Sequence, residues 1–316
     1  MDLDNNDRDS ILQQFLEKAP IYKRLEEEAL FTIKQALDAT DIKIYTIQSR
    51  IKKADSFLDK SKRLGCAKPF EEIRDIVGLR IVCLFLSDIS RISEIFQESF
   101  DIIGEDNKIS SGKDALFGYL SAHFTIKLKD DCSGPRYRSL KGEPFEIQIR
   151  TLTMDAWANV SHYLDYKSDI DIPSELRRDF YALSGLFYVA DTHFEMFFKS
   201  RQKVVRRLEE SEIQPTQEIN FDSLDKYLIK RYPERERIDD EWFNSRSDDI
   251  SELVDQLTLE GYSTIGKLEN LLNSFEVAAL AHEKTTQRQM YFTDVGIVRV
   301  TLELHDKTMK KQTKAE

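Results

Sequence analysis

Cysteine is scarce: the 316 residues hold three, Cys66, Cys83 and Cys132, with no CxxC pair among them. Such a set frames neither a disulfide scaffold nor a zinc site, and it reads as three reduced structural thiols. Long apolar runs are missing too, since no stretch approaches the ~20 residues that a membrane-spanning helix needs. The first residues carry Asp2, Asp4, Asp7 and Asp9 and lack the basic and apolar regions of a secretory signal, so the expected place is the cytoplasm, away from membranes. Positive charge is in deficit: 46 Lys+Arg against 57 Asp+Glu leave a net charge of −11, a poor basis for a sequence-independent nucleic-acid coat. What remains, at 41% apolar and 33% charged residues, is an ordinary globular composition able to bury one or two cores. Collagen-like, low-complexity and wholly disordered chains are excluded.

Periodicity predicts the elements. Residues 11 to 39 read as two short helices broken at Pro20. Ile44 to Leu64 reads as one further helix, and residues 73 to 86 (IRDIVGLRIVCLFL) as a β-rich run followed by an amphipathic helix near Ile89 to Phe100. Strand signals follow at Ala122 to Leu128 and Phe145 to Arg150, then helices from Met154 to Lys167 and from Ile172 to about Leu208. A linker at 209 to 220 leads to a smaller region with helices near Phe221 to Tyr232, Ser247 to Leu259 and Ile265 to Ala281, and an alternating strand pair near Met290 to Leu304. The expected fold is α+β: a mixed sheet flanked by helices over residues 1–212, then a mainly helical accessory region, 213–316, that ends in a short β pair.

Four segments carry residues suited to chemistry. Between residues 45 and 63 six basic residues face two acidic ones, and on a helix Lys53, Ser56, Lys60 and Arg63 share one arc with Lys52 beside them and Arg50 at its flank. Such an arc could hold a polyphosphate, Lys supplying point charges and Arg a planar fork, although a solvated helix face would look the same. On the strand Phe145-Glu146-Ile147-Gln148-Ile149-Arg150 strict alternation puts Glu146, Gln148 and Arg150 on one side. An acid, an amide and a guanidinium so aligned suit a metal, a base or ribose, and a phosphate, or else a half-exposed sheet. Asp75 precedes an apolar strand that contains Gly78 and a charged Arg80; it suits a Mg²⁺ site or a plain turn. In Phe117-Gly118-Tyr119-Leu120-Ser121-Ala122-His123, Tyr119 offers a stacking face, and Ser121 and His123 share a side.

Taken in order, Ser49-Arg50-Ile51-Lys52, then Ser56, Lys60 and Arg63, then Asp75-Ile76-Val77-Gly78-Leu79-Arg80-Ile81, then Gly118-Tyr119-x-Ser121-x-His123, then Glu146-Ile147-Gln148-Ile149-Arg150-Thr151, then Trp157-Ala158 and His162-x-x-x-Tyr166-Lys167, resemble the synthetase domain of RelA/SpoT-type alarmone synthetases. The resemblance covers residues 45 to 167 and leaves out the C-terminal hundred or so. It implies a nucleotidyltransferase-like domain that transfers the β,γ-pyrophosphate of ATP to the 3′-hydroxyl of GDP or GTP, with Mg²⁺ as cofactor. By the same resemblance Arg50 and Arg80 would sandwich the adenine of ATP, while Lys52, Ser56, Lys60 and Arg63 hold its phosphates. Asp75 and Glu146 would hold the metal, Glu146 would activate the acceptor hydroxyl, and Tyr119 would stack on the acceptor base with Ser121, His123, Gln148, Arg150 and His162 nearby.

The usual Lys-Pro-Asn-Gly-Tyr acceptor loop is replaced here by Ala115-Leu116-Phe117 before Gly118-Tyr119, with Lys113 displaced. A second reading therefore stands beside the first: a toxic relative that pyrophosphorylates the 3′ end of tRNA and blocks translation, with Arg136, Arg138 and Lys141 on the RNA backbone. A third is a non-catalytic nucleotide-binding regulator, against which the retention of both Asp75 and Glu146 argues. About 40 residues ahead of the first motif leave no room for the family's hydrolase domain. The C-terminal region is then expected to restrain the enzyme or to meet an inhibitory or trigger protein, and a homo-oligomer is compatible with the reading.

Overall fold

Alternation decides the central sheet. In the structure, a computed structural model that describes residues 5–107, 121–164, 172–210, 212–235, 246–285 and 292–312, the order of elements is as follows. Helix α1 (Asn5–Asp38) leads to β1 (Ile44–Ile51), α2 (Ala54–Leu64), the short α3 (Pro69–Glu72) and β2 (Val77–Cys83). Then come α4 (Leu86–Ser99), β3 (Phe100–Asn107), β4 (Ala122–Leu128), β5 (Phe145–Thr151), α5 (Leu152–Tyr163) and α6 (Arg177–Glu210). The remaining helices are α7 (Phe221–Arg231), α8 (Arg246–Leu259), α9 (Ile265–Thr285) and α10 (Asp294–Gln312). The chain forms two compact units, Met1–Phe198 and Lys199–Glu316.

In the first unit five strands run in the order β1-β2-β5-β4-β3. The β2/β5 pair is parallel and the others are antiparallel, so the sheet is mixed, as expected. Strands β4 and β5 alternate strictly between buried and half-buried positions. Phe124, Ile126, Phe145, Ile147 and Ile149 thus join Leu79 and Ile81 of β2 on the apolar face. Tyr22, Leu25 and Ile33 of α1, Phe57 of α2 and Ile92 and Phe96 of α4 cover that face. Each such side chain contributes roughly 1.5–3 kcal/mol by leaving water. The other face of the same strands is left to polar side chains. Helix α6 is tied to the end of β5 and to the start of α4 by polar contacts: Thr151 Oγ1 donates to Asp191 Oδ2 at 2.6 Å, and Ser87 N and Oγ donate to Glu195 Oε2 at 3.1 and 3.0 Å.

Four expectations are corrected. Helix α1 is continuous through Pro20, not two helices. Proline removes one intrahelical hydrogen bond, whereas the buried stripe Phe15, Tyr22, Leu25, Ala29, Ile33 and Leu37 continues on both sides of it. The segment expected as one helix from Ile44 to Leu64 is the edge strand β1 followed by α2. Ile44, Ile47 and Ile51 satisfy a helical period, but the β-branched run pairs in register with β2 from Ile51↔Val77 to Thr46↔Val82, and across an irregularity at Ile44↔Cys83. Strand β3, absent from the expectation, pairs with β4 across an irregularity between Ile102 and Gly104. Finally, of the β pair expected near Met290 to Leu304, Met290 and Tyr291 lie outside the described residues, and residues 294 to 304 lie in helix α10. Its buried residues Asp294, Val295, Ile297, Val298, Thr301 and Leu302 recur at helical spacing, and Thr293 Oγ1 accepts from Gly296 N at its start.

The second unit is a helical cluster around Leu224, Leu228, Leu253, Leu257, Leu268, Leu272, Ile297 and Val298. Gly261, at φ 88°, makes the left-handed turn between α8 and α9. The first amides of α9 are engaged within the chain: Ile265 N donates to Gln217 O and Gly266 N to Pro215 O, at 2.9 and 2.8 Å. A Cβ at Gly266 would lie 2.8 Å from Pro215 O, so the close crossing requires glycine. No helix among the described residues is long and apolar enough to cross a membrane.

Candidate active site

The polar face of the sheet collects the expected residues strand by strand. Register sets Arg50 of β1 opposite Gly78 of β2, Gly78 opposite Glu146 of β5, and Arg80 opposite Gln148. His123 of β4 lies opposite Gln148 from the other side. The result is an open cleft lined by Gln48, Ser49, Arg50, Gly78, Leu79, Arg80, Glu146 and Gln148. Arg50 lies over Gly78, whose missing side chain leaves it room: a Cβ there would stand 3.7 Å from Arg50 Nε.

Beside the cleft, three charged side chains meet. The backbone N–H of Lys52 donates to Ile76 O at 2.8 Å, which brings the end of β1 against the residue that precedes β2. Lys52 Nζ and Lys60 Nζ both lie 2.9 Å from the same oxygen, Asp75 Oδ2. Burial pushes the Asp75 carboxyl up, but the hydrogen bonds from the two lysines outweigh it and hold the group below the usual carboxylate range. Two cations share one anion there, leaving positive charge in excess. On α2, Ser56, Lys60 and Arg63 follow at i, i+4 and i+7, and Ser56 and Arg63 are exposed on that face. The basic arc expected on one helix is thus divided: Arg50 faces the cleft from a strand, while Lys52 joins Lys60 from the strand's end.

A second chain of contacts runs through Glu146. His123 Nδ1 lies 3.0 Å from Glu146 Oε1, and His123 Nε2 lies 2.6 Å from Ser121 Oγ. An ionised carboxylate only accepts, so the Nδ1–H of His123 points at Glu146, and the Ser121 hydroxyl stands at the other ring nitrogen. Gln148 Nε2 donates to Glu146 Oε2 at 3.2 Å. Burial raises the Glu146 carboxyl and the nearby Asp75 charge adds to that, but the His123 and Gln148 contacts prevail and hold it low. Glu146 is therefore a partly buried, ionised carboxylate, fixed by two neighbours on its own face.

Arg80 and Arg150 meet at a residue that the sequence reading did not single out. Asp155 Oδ1, in the first turn of α5, lies 3.1 Å from Arg80 Nη1 and 3.6 Å from Arg150 Nη1. Burial, and the charge of Arg80 next to it, push the Arg150 guanidinium down to about 10. Spacing carries no signal that singles out this acid. The strands place the two arginines near each other, and the acid that meets both comes from the helix that follows β5. Of the other expected residues, His162 is exposed in the last turn of α5, and Tyr119 lies outside the described residues.

Among the described residues no three His, Cys, Asp or Glu side chains gather as a metal site. A magnesium ion asks for less: one or two carboxylates, with substrate phosphates and water completing the octahedron. Asp75 fits that demand, because its Oδ1 is buried and has no hydrogen-bond partner, and the Glu146 carboxylate is close enough to feel its charge.

A mixed sheet bearing a cationic cleft beside two low-pKa carboxylates defines a nucleotide-handling α+β domain of the synthetase type. Residues 49–171 match the region found in RelA / SpoT proteins. The GTP pyrophosphokinase YwaC of Bacillus subtilis (strain 168) is 33% identical over 172 residues, covering 46% of this chain and 78% of that protein. The GTP pyrophosphokinase YjbM of the same organism is 32% identical over 135 residues, covering 42% of this chain and 61% of that one. A GTP pyrophosphokinase family protein from Streptococcus pneumoniae superposes with a TM-score of 0.50 at 25% identity, over 60% of this chain and 96% of that chain. The chain belongs to the RelA/SpoT family.

Proposed function

We propose that the protein is an ATP-dependent pyrophosphokinase that moves the β,γ-pyrophosphate of ATP onto the 3′-hydroxyl of GDP or GTP, making (p)ppGpp. One observation carries the reading. A cluster with more cations than anions (Lys52 and Lys60 on Asp75) stands close enough to an ionised, hydrogen-bonded Glu146 for the Asp75 charge to act on it. Polyphosphate binding and hydroxyl activation need these two features side by side. The two curated relatives named GTP pyrophosphokinase support the acceptor class. The cytoplasm, where these nucleotides are held, is the proposed location.

In this reading Arg50 and Arg80 hold the adenine, and Lys52, Lys60, Ser56 and Arg63 hold the phosphates. The acceptor's 3′-oxygen attacks the β-phosphorus as its proton passes to Glu146; the bond from the β-phosphorus to the bridging α,β-oxygen breaks, and AMP leaves. His123 and Gln148 keep the Glu146 carboxylate aimed and ionised, so it can accept that proton. Charge builds on phosphate oxygens during transfer, and fixed cations stabilise it without reorganising. Mg²⁺, held by Asp75 with Glu146 near, would neutralise phosphate charge and orient the pyrophosphoryl group. The second unit is proposed as an accessory region that restrains the enzyme or receives a partner.

No observation favours the tRNA reading. Arg136 Nε donates to Glu28 Oε2 at 2.6 Å and Lys141 Nζ to Asp130 O at 2.8 Å, so two of its three basic residues are engaged within the chain. An acceptor competition tests the proposal: protein, Mg²⁺ and γ-labelled ATP are offered GDP, GTP and bulk tRNA together. Label in a guanosine nucleotide is expected. Label on tRNA would replace the acceptor, and binding without transfer to any of the three would favour a regulator.

A further inference from the structure

Arg80 and Arg150 rise from adjacent strands onto the same face, two residues apart in register, since Arg80 pairs with Gln148. Their side chains are only 24% and 14% exposed, so water does little to separate the two charges. The described contacts supply one carboxylate between them, and it belongs to neither strand. Asp155 Oδ1 takes both guanidinium groups, and Asp155 Oδ2 accepts from Asn159 Nδ2 at 3.0 Å, one turn further along α5.

That helix is itself held in place. Thr151 Oγ1 accepts from Met154 N at 3.1 Å as its N-cap, and Trp157 packs against Phe180 and Phe187 with ring centroids 4.6 and 5.8 Å away. The carboxylate is therefore delivered from a fixed support. A planar guanidinium gripped through Nη1 cannot rotate freely. Arg80, a lining residue of the cleft, thus presents a set plane across from Arg50.

We propose that Asp155 is a positioning residue for the donor nucleotide: its one carboxylate holds Arg80 and Arg150 side by side and sets the Arg80 guanidinium as one wall of the adenine slot. The inference rests on the donor-site reading above, in which Arg80 contacts adenine. It also explains why a single acid serves two arginines: the pair keeps a net positive charge toward the cleft, while mutual repulsion is relieved on the side away from it. Asp155 itself touches no reacting atom. Its loss loosens Arg80 rather than removing a catalytic group, so it weakens donor binding far more than it slows the transfer step.

The test is a double-mutant cycle on the full chain. Affinity for an α,β-methylene analogue of ATP, with Mg²⁺, is measured by titration calorimetry for the unaltered protein, Asp155→Asn, Arg80→Met and the double variant. Asp155→Asn is expected to weaken binding about tenfold and to raise the KM for ATP by a similar factor, with kcat at saturating ATP within about threefold. In the Arg80→Met background the same change is expected to cost almost nothing. Asp155→Glu, which restores a carboxylate, is expected to recover part of the affinity, and Asp155→Ser repeats the cycle should asparagine compromise folding. Effects that add fully in the double variant, or a fall in kcat without a change in affinity, would overturn the proposal. Binding by the unaltered protein without transfer would defeat the proposed reaction alone and leave the cycle decisive for Asp155. No binding of adenine nucleotide would overturn both.

Discussion

The two units handle buried charge in opposite ways. In the second unit three partly buried arginines are answered by acids: Arg235 meets Glu283 through two parallel contacts of 2.8 and 3.1 Å, Arg231 meets Glu276 at 2.9 Å, and Arg246 lies between Asp225 and Asp294 at 2.6 and 2.9 Å. Around the cleft of the first unit the ratio is reversed. Asp75 is shared by two lysines and Asp155 by two arginines. Closed pairs have nothing left to offer a ligand and serve to lock helices together. Pairs that keep a surplus of positive charge, lining a cleft, are suited to an anion with several charges of its own.

Breaking each kind of pair should therefore have different consequences. The largest effect is expected at the acid that works alone: Glu146→Gln should lower transfer by about 10²–10⁴-fold, as loss of a general base does, with the affinity for an ATP analogue nearly unchanged. In the second unit, Asp294→Asn leaves Arg246 half-paired around a fully buried position. It should cost about 3–5 kcal/mol of that unit's stability, read by denaturant titration, with nucleotide affinity kept. Gly266→Ala, forced against Pro215 O, should cost the same unit about 1–3 kcal/mol. Lys60→Met, by contrast, should leave the thermal midpoint nearly in place while weakening the ATP analogue about tenfold and flattening its salt dependence.

The smallest expected effect concerns pH. Asp75 and Glu146 are both held below their ordinary values in the fold. Their contribution is then complete above the unfolded carboxylate range of about 4 and is lost as pH falls through the lower folded values. The first unit's denaturation midpoint should be flat from about pH 8 to 5 and drop below about pH 4, less steeply in Asp75→Asn.

Much of the first unit was legible in the sequence because one rule governed it. Strands β4 and β5 are core strands, and their alternation reported both faces, so the sequence alone set Glu146, Gln148 and Arg150 on one side of their strand, and Ser121 with His123 on one side of theirs. Edge strands obey a looser rule. In β1, Ile44, Ile47 and Ile51 fit a helical repeat as well as a strand, and in β3 the polar residues Asp101, Glu105 and Asp106 interrupt the pattern. Helix α10 misled in the other direction: Val295, Ile297, Val298 and Val300 favour a strand locally, but the burial of Val295, Val298 and Leu302 on the second unit's core prevails. Within the site, the partnership of Lys52 with Lys60 across a strand-to-helix junction has no signature in spacing. An aspartate in a first helical turn such as Asp155 looks like any acid placed to suit the helix dipole.

The central claim is that a pyrophosphoryl group, not a single phosphoryl group, leaves ATP. The most direct measurement is the nucleotide balance of the reaction: the protein is incubated with ATP, GDP and Mg²⁺, and the products are quantified by ³¹P nuclear magnetic resonance. The expected result is AMP in equal amount to a guanosine nucleotide that carries a new pyrophosphate on its 3′-oxygen. ADP as the co-product, or consumption of ATP with GDP untouched, would contradict it.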